Sequence, residues 1–272
     1  MIYKIFLPYQ DKPCYIQTTE FEIIDFIVNY YGEYCQAAEF CNGFLIKVDK
    51  NGFEFRIETK DGICRTVYPQ NPIIDIVHRV GGTSSKYILL HGIAIANHGS
   101  AHLFLAHTNS GKSTLAAMLL YRNYQVLTDD VVVIEKQTGL LIPVITPIRL
   151  RDGGKRILLR EIKQSISFAN MTIGEEERFL IAPTKSVNAN YPIKSIMFSR
   201  FGTNNCCRHL ESYAEILATL MGSSMNSQVF TPEDISAFRT LTKIDSYYIE
   251  YTNTSYVDCW LKKNSDDLSS KL

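Results

Sequence analysis

Ala106-His107-Thr108-Asn109-Ser110-Gly111-Lys112-Ser113 reads as a phosphate loop: a small residue, four variable positions, then Gly-Lys-Ser. Each residue type has a chemical reason. Backbone N–H groups of a tight loop and of the helix N-terminus behind it converge on phosphate oxygens. Gly111 lets the backbone approach closely, and Lys112 reaches the β- and γ-phosphates as a positive point charge. The Ser113 hydroxyl ligates the Mg²⁺ that bridges those phosphates. The context fits, with an apolar strand, Leu103 to Leu105, leading in and a helix from Lys112 to Tyr121 leading out. Ala106 stands where Gly is more usual. The loop, with Thr114 just beyond it, is expected to hold ATP or another nucleoside triphosphate together with Mg²⁺.

Asp129-Asp130 follow soon after, at the expected end of a strand begun by Gln125 to Leu127. A carboxylate there can bind Mg²⁺ directly or through water, or take the proton of an attacking hydroxyl. Two adjacent carboxylates can divide these jobs, because successive strand residues point in different directions. The bland alternative is an Asp-Asp turn or strand cap. Ser113, Asp129 and Asp130 are thus the candidate metal ligands. Upstream, His91 closes an apolar strand, where an imidazole can bond a carboxylate or a phosphate oxygen or serve structure alone.

Working outward, Tyr87 to Ala96 and Ala101 to Leu105 form an antiparallel hairpin around Asn97-His98-Gly99-Ser100. A doubly wound parallel sheet would not supply that hairpin. Val131 to Glu135, Leu140 to Val144, Ser195 to Ser199 and Tyr247 to Tyr251 read as further strands. Ala214 to Leu220 and Ile235 to Leu241 read as helices. Before this, Tyr3 to Leu7 reads as a strand and Phe21 to Tyr31 as a helix stopped by Gly32. Phe44 to Val48 and Phe53 to Glu58 flank Asn51-Gly52, both expected at positive φ, and Ile63 to Tyr68 returns as a third strand. Ile73 to Val80 reads as a short helix closed by Gly81-Gly82. The expected fold class is α+β, a mixed α/β chain. It has an N-terminal α+β unit over 1–70, suited to substrate recognition, a phosphate-loop domain over 71–264 and a polar tail over 265–272.

Composition narrows the classes. Hydrophobic residues are 46% and charged residues 21%, a globular balance. Lys plus Arg and Asp plus Glu are 28 each, so no overall basic field holds nucleic acid or an anionic membrane. No apolar run is long enough to span a bilayer, and Pro8, Gln10, Asp11 and Lys12 break any signal-peptide layout. A cytoplasmic protein with reduced thiols at its seven cysteines is expected. Arg200-Phe-Gly-Thr203 follows an expected strand and is a candidate to bring an Arg to the site edge; Gly174 to Arg178 and Lys155 to Lys163 read as solvated faces.

The order from Leu90-His91-Gly92 through Ala106–Thr114 to Leu127-Thr-Asp-Asp130 resembles the catalytic domain of HPr kinase/phosphorylase. That family shares its fold group with phosphoenolpyruvate carboxykinase. The resemblance implies a kinase that phosphorylates a serine hydroxyl. It places His91 by the reacting phosphate and Asp130 as the base, with Asp129 as second choice. The family's second signature corresponds to Pro147-Ile-Arg-Leu-Arg-Asp-Gly-Gly154, where Arg149 or Arg151, or more weakly Arg156, neutralises the transferred phosphoryl. In layout the chain is similar to smaller members of bacterial peptide-modification clusters, the lasso-peptide precursor kinases. The implied partner is a peptide or protein with an acceptor serine, and such relatives are often homo-oligomers. The rival expectations are a nucleotide-binding regulatory module and a small-molecule kinase. A carboxykinase fits less well, because the chain is short and shows no further metal-ligand set.

Overall fold

The computed structural model describes residues 1–82, 86–107, 110–173, 176–182, 189–225 and 230–265. The chain begins β1 (Ile2–Ile5), β2 (Cys14–Thr18), α1 (Phe21–Tyr31), β3 (Cys35–Ala37), β4 (Phe44–Asn51), β5 (Glu54–Thr59), β6 (Gly62–Thr66) and α2 (Gln70–Gly82). It continues β7 (Tyr87–Asn97), β8 (Ser100–Leu105), α3 (Lys112–Leu120), β9 (Gln125–Glu135), β10 (Leu141–Ile142), β11 (Ile148–Leu150) and α4 (Asp152–Glu161). It closes with β12 (Ala169–Ile173), β13 (Glu176–Ile181), β14 (Ile193–Phe201), β15 (Cys206–His209), α5 (Tyr213–Gly222), α6 (Pro232–Leu241), β16 (Ser246–Tyr251) and α7 (Thr254–Ser265). The chain is mixed α/β, and among the described residues no helix is long and apolar enough to cross a membrane.

Residues 2–66 build a six-stranded sheet in the order β3-β1-β2-β4-β5-β6. The expected hairpin and returning strand are present as antiparallel β4, β5 and β6, and β2 joins β4 in parallel across α1, so the sheet as a whole is mixed. Helix α1 forms because Ile23, Phe26, Ile27, Tyr30 and Tyr31 recur at helical spacing and bury one stripe; Gly32 ends it at φ +50. The β4–β5 turn also differs from expectation. Asn51 pairs with Glu54, so Gly52-Phe53 is the two-residue loop and only Gly52, at φ +64, needs positive φ.

The central seven-stranded sheet has the order β10-β9-β7-β8-β14-β16-β15. β7 pairs antiparallel with both β8 and β9, while β14 runs parallel to β8 and to β16. α3 crosses one face of this sheet, packing Leu115, Met118 and Leu119 into a core with Ile93, Phe104 and Met197. The six-stranded sheet joins the central one without a break in packing. Ile5, Ile27 and Val77 share a core with Leu89 of β7 and with Val131 and Val133 of β9. A third sheet, β11-β13-β12, lies against α4 and carries Arg149.

Two expectations near the site change. Asp129-Asp130 do not cap a strand; β9 runs unbroken from Gln125 to Glu135. The segment from Lys155 to Lys163, read as a solvated face, contains most of α4, whose Leu158 is fully buried. Of Gly174 to Arg178, Gly174 and Glu175 lie outside the described residues, as does the tail beyond Ser265.

Candidate functional site

The site lies where β8 ends, α3 begins and β9 passes alongside. Gly111 is the N-cap of α3 at φ +87, a conformation that glycine adopts without a Cβ penalty. Lys112 is 7% exposed, and its Nζ donates to the carbonyls of Ala106 and His107 at 2.8 Å each and to Ser110 Oγ at 3.5 Å. Burial lowers the Lys112 pKa, against the opposing pull of Asp130 and Asp129. The ammonium thus sits in the throat of the loop. Thr114 lies at the α3–α4 contact, where Gly154 permits close approach; a Cβ on Gly154 would stand 2.6 Å from Thr114 Oγ1. Thr108 and Asn109, read as part of the loop, lie outside the described residues.

β9 brings its two carboxylates to different partners. Asp129 is 4% exposed, with Oδ1 accepting from Ser113 Oγ at 3.0 Å and Oδ2 from the Arg149 backbone N–H at 3.2 Å. Asp130 accepts from the Arg149 guanidinium through Oδ2. The backbone makes this divergence possible. Asp130 has φ +91, and the β7–β9 register shifts between Ala94 and Ile95. The Thr128 hydroxyl donates across the bend to the Val131 carbonyl at 2.6 Å. A non-glycine residue in this region stores about 1–3 kcal/mol and clusters at functional sites.

The electrostatics separate the two acids. Burial, and then the neighbouring Asp130 charge, lift the Asp129 pKa to about 6. Burial also pushes Asp130 upward, but the charged Arg149, with Lys112, outweighs it, and its pKa ends below the usual carboxylate value. Asp130 is therefore ionised at neutral pH. His91 Nδ1 is 3.1 Å from the Asp130 carbonyl and 3.5 Å from its Oδ1. A carbonyl can only accept, so Nδ1 carries the proton. Burial, with Lys112 adding to it, lowers the His91 pKa and keeps the ring neutral.

Of the three arginines considered, only Arg149 joins the carboxylates. Arg151 is exposed at the N-cap of α4, and Arg156 is exposed and paired with Asp152 at 2.6 Å. Arg149 in turn rests on the face of Tyr30, with its guanidinium carbon 4.9 Å from the ring centroid. Burial opposes the Arg149 charge, and Tyr30, Asp130 and Asp129 overcome it, so the guanidinium is held firmly protonated. Sequence reasoning missed Tyr30, whose place on the buried stripe of α1 marks it only as a core residue. It also missed His78 of α2, which is 5% exposed and within electrostatic reach of Asp130. At Arg200-Phe-Gly-Thr203, the arginine is exposed and Phe201 is the residue beside the loop.

A hard divalent cation takes oxygen ligands and keeps several waters. A hydroxyl and a carboxylate 3.0 Å apart at the head of α3 suit one edge of such a shell. Asp130 is turned toward Arg149, so a cation there would meet Ser113 and Asp129 rather than all three residues together. The described residues contain no cluster of three or more His, Cys, Asp or Glu that could hold a metal without phosphate or water.

No protein-family model matches the sequence, and no curated protein matches it. Among solved structures, the chain is similar to the Hpr(Ser) kinase/phosphatase from Coxiella burnetii. The two are 12% identical with a TM-score of 0.33, over 66% of this chain and 98% of that one.

Proposed function

We propose that the chain is an ATP- and Mg²⁺-dependent kinase that transfers the γ-phosphoryl group to a serine hydroxyl of a peptide or protein. The observation that carries this reading is the split of Asp129 and Asp130 between two partners. Asp129 bonds the hydroxyl at the head of the phosphate-loop helix, and Asp130 bonds Arg149 beside His91. One acid serves the nucleotide side, and the other faces the position of an acceptor.

In this reading Lys112 exchanges its loop carbonyls for β- and γ-phosphate oxygens. Ser113 and Asp129 would hold Mg²⁺, which would neutralise charge on the phosphates. The acceptor oxygen forms a bond to the γ-phosphorus as the bond to the β,γ-bridging oxygen breaks. ADP leaves, and the acceptor proton passes to the Asp130 carboxylate. Arg149 pairs with Asp130 and lowers its basicity. Movement of the guanidinium toward the transferring phosphoryl restores that basicity as the hydroxyl begins to lose its proton. His91 fixes the Asp130 backbone and offers Nε2 to the same space.

Serine as acceptor rests on the order of motifs from Leu90 to Asp130, and a ribosomal peptide precursor of the lasso type as substrate rests on the likeness in size and layout alone. A nucleotide-binding regulatory module is the second reading. The Arg149–Asp130 pair favours it, since a carboxylate held by a guanidinium is a weak base. ADP production from MgATP, with and without serine peptides and small alcohols, separates the two. A kinase shows acceptor-dependent turnover; a regulatory module binds ATP and shows none.

A further inference from the structure

The central sheet assigns a direction to a bound nucleotide. β9 lies on one side of β8, across β7, and β14 and β16 lie on the other. Asp129 on β9 marks the metal and γ-phosphate side of the loop. A triphosphate anchored at Lys112 with its γ end toward Asp129 has β14 and β16 on the side away from that end. Both strands run parallel to β8, so their C-terminal ends lie at the same edge as the loop.

At that edge stands an exposed aromatic ring. Phe198 is level with Leu105, the last residue of β8, and Phe201 lies further along β14, level with Tyr251 of β16. Phe201 is 52% exposed, although its ring meets the buried Tyr251 ring edge to face at 5.7 Å. A Cβ built on Gly111 would lie 3.8 Å from Phe201 Cβ and 4.0 Å from the Tyr251 hydroxyl. The aromatic pair is therefore in contact range of the loop glycine itself.

The segment is also held in place. Gly202 N–H donates to the Tyr251 carbonyl at 3.0 Å, and Glu250 accepts from the N–H groups of Thr203 and Asn204 at 3.2 Å each. A Cβ on Gly202 would meet the Glu250 carboxylate at 2.3 Å, so a larger residue here would displace the Glu250 side chain that holds the turn. An exposed ring on a fixed backbone loses little freedom when it stacks.

We propose that Phe201, backed by Tyr251, is the nucleobase platform of the phosphate-loop site. This inference rests on the nucleotide-binding reading above and adds the base subsite to it. Stacking is tolerant of base identity, because every base presents a π-face. The platform thus contributes affinity for nucleoside triphosphates over bare triphosphate without choosing strongly among bases.

Calorimetric titration of the full chain with MgATP and with magnesium tripolyphosphate tests it. Wild type is expected to bind MgATP more tightly than tripolyphosphate. Phe201→Ala should weaken MgATP about tenfold relative to tripolyphosphate. Phe201→Trp, which keeps a stacking face, should restore the preference and guards against a misfolded alanine variant. Equal weakening of both ligands in properly folded Phe201→Ala, or an unchanged preference, overturns the platform while leaving the phosphate loop standing. A wild-type chain that prefers neither ligand overturns it as well. Failure of wild type to bind either ligand removes the nucleotide site, and the platform with it.

Discussion

Ser113 Oγ donates a 3.0 Å hydrogen bond to Asp129 Oδ1, tying the first turn of α3 to the middle of β9. The contact joins the residue expected to touch metal through a hydroxyl to the one expected to touch it through a carboxylate. Ser113→Ala and Asp129→Asn are each expected to raise the Mg²⁺ concentration needed for half-maximal turnover by at least about tenfold. Titration of activity with Mg²⁺ at saturating ATP reads this. An unchanged requirement in both variants would remove the assigned ligands.

Lys112 spends its three donors inside the loop, on Ala106, His107 and Ser110. A triphosphate offers charged acceptors in their place, and hydrogen bonds to charged groups are worth about 1.5–3 kcal/mol. Lys112→Ala should therefore weaken ATP binding by roughly tenfold to a hundredfold. Equilibrium binding of a fluorescent ATP analogue measures it.

Asp130 differs from Asp129 in what it touches, and the two substitutions should separate. Asp130→Asn is nearly isosteric and leaves the Ser113–Asp129 contact in place. ATP affinity should stay close to wild type, while transfer falls by about 10²–10⁴-fold. The variant also takes a carboxylate from Arg149, so its melting temperature should be recorded beside the rate. Full transfer activity in Asp130→Asn would unseat it as the base.

These assignments were legible in the sequence to different depths. The strand leading into Ala106, the helix that starts at Lys112, the antiparallel hairpin and the Asp-Asp pair could be read from local pattern. The continuity of β9 could not, because adjacent aspartates are poor strand residues and read as a turn. What keeps them in the strand is tertiary: pairing with β7 on one side, and Ser113 and Arg149 holding the charges. Arg149 was one of three candidates, since nothing local distinguishes it from Arg151. Its choice is made by β11, which turns it toward Asp130 and onto Tyr30. Helix α4 was hidden by Gly153-Gly154, residues that oppose helix formation; at Gly154 this is offset by the close approach to Thr114.

Gly92 faces a similar constraint on β7. A Cβ there would meet Leu105 Cδ2 at 2.6 Å and the Phe104 carbonyl at 2.8 Å. Gly92 is also the register partner of both Leu105 and Asp130. Gly92→Ala should destabilise the fold by about 1–3 kcal/mol through overpacking. Chemical denaturation checks this. A variant as stable as wild type would show that β7 and β8 can separate at no cost.

Two buried histidines set an acid limit. Burial lowers both His78 and His102 from 6.5 to about 4. His78 Nδ1 is 2.5 Å from the Tyr9 hydroxyl, and His102 Nδ1 is 2.8 Å from Ser195 Oγ. Each ring is favoured neutral in the fold, so its contribution is complete above pH 6.5 and is lost as pH falls toward 4. One pKa unit corresponds to about 1.4 kcal/mol, giving roughly 3 kcal/mol for each ring. Asp129, lifted to about 6, works in the opposite sense and offsets part of the loss. His78→Asn and His102→Asn keep an amide near Nδ1 and remove the titration. Each should flatten the decline in stability between pH 6.5 and 4, as followed by urea unfolding. A decline as steep as wild type in both variants would contradict the assignment.

Mass spectrometry of serine-containing peptides incubated with the full chain, Mg²⁺ and γ-labelled ATP tests the proposed transfer most directly. The expected result is one labelled phosphoryl group on a peptide serine, absent with Asp130→Asn and with Lys112→Ala. Tight ATP binding by wild type, with no label on any acceptor across a broad panel and no ADP released, would contradict it.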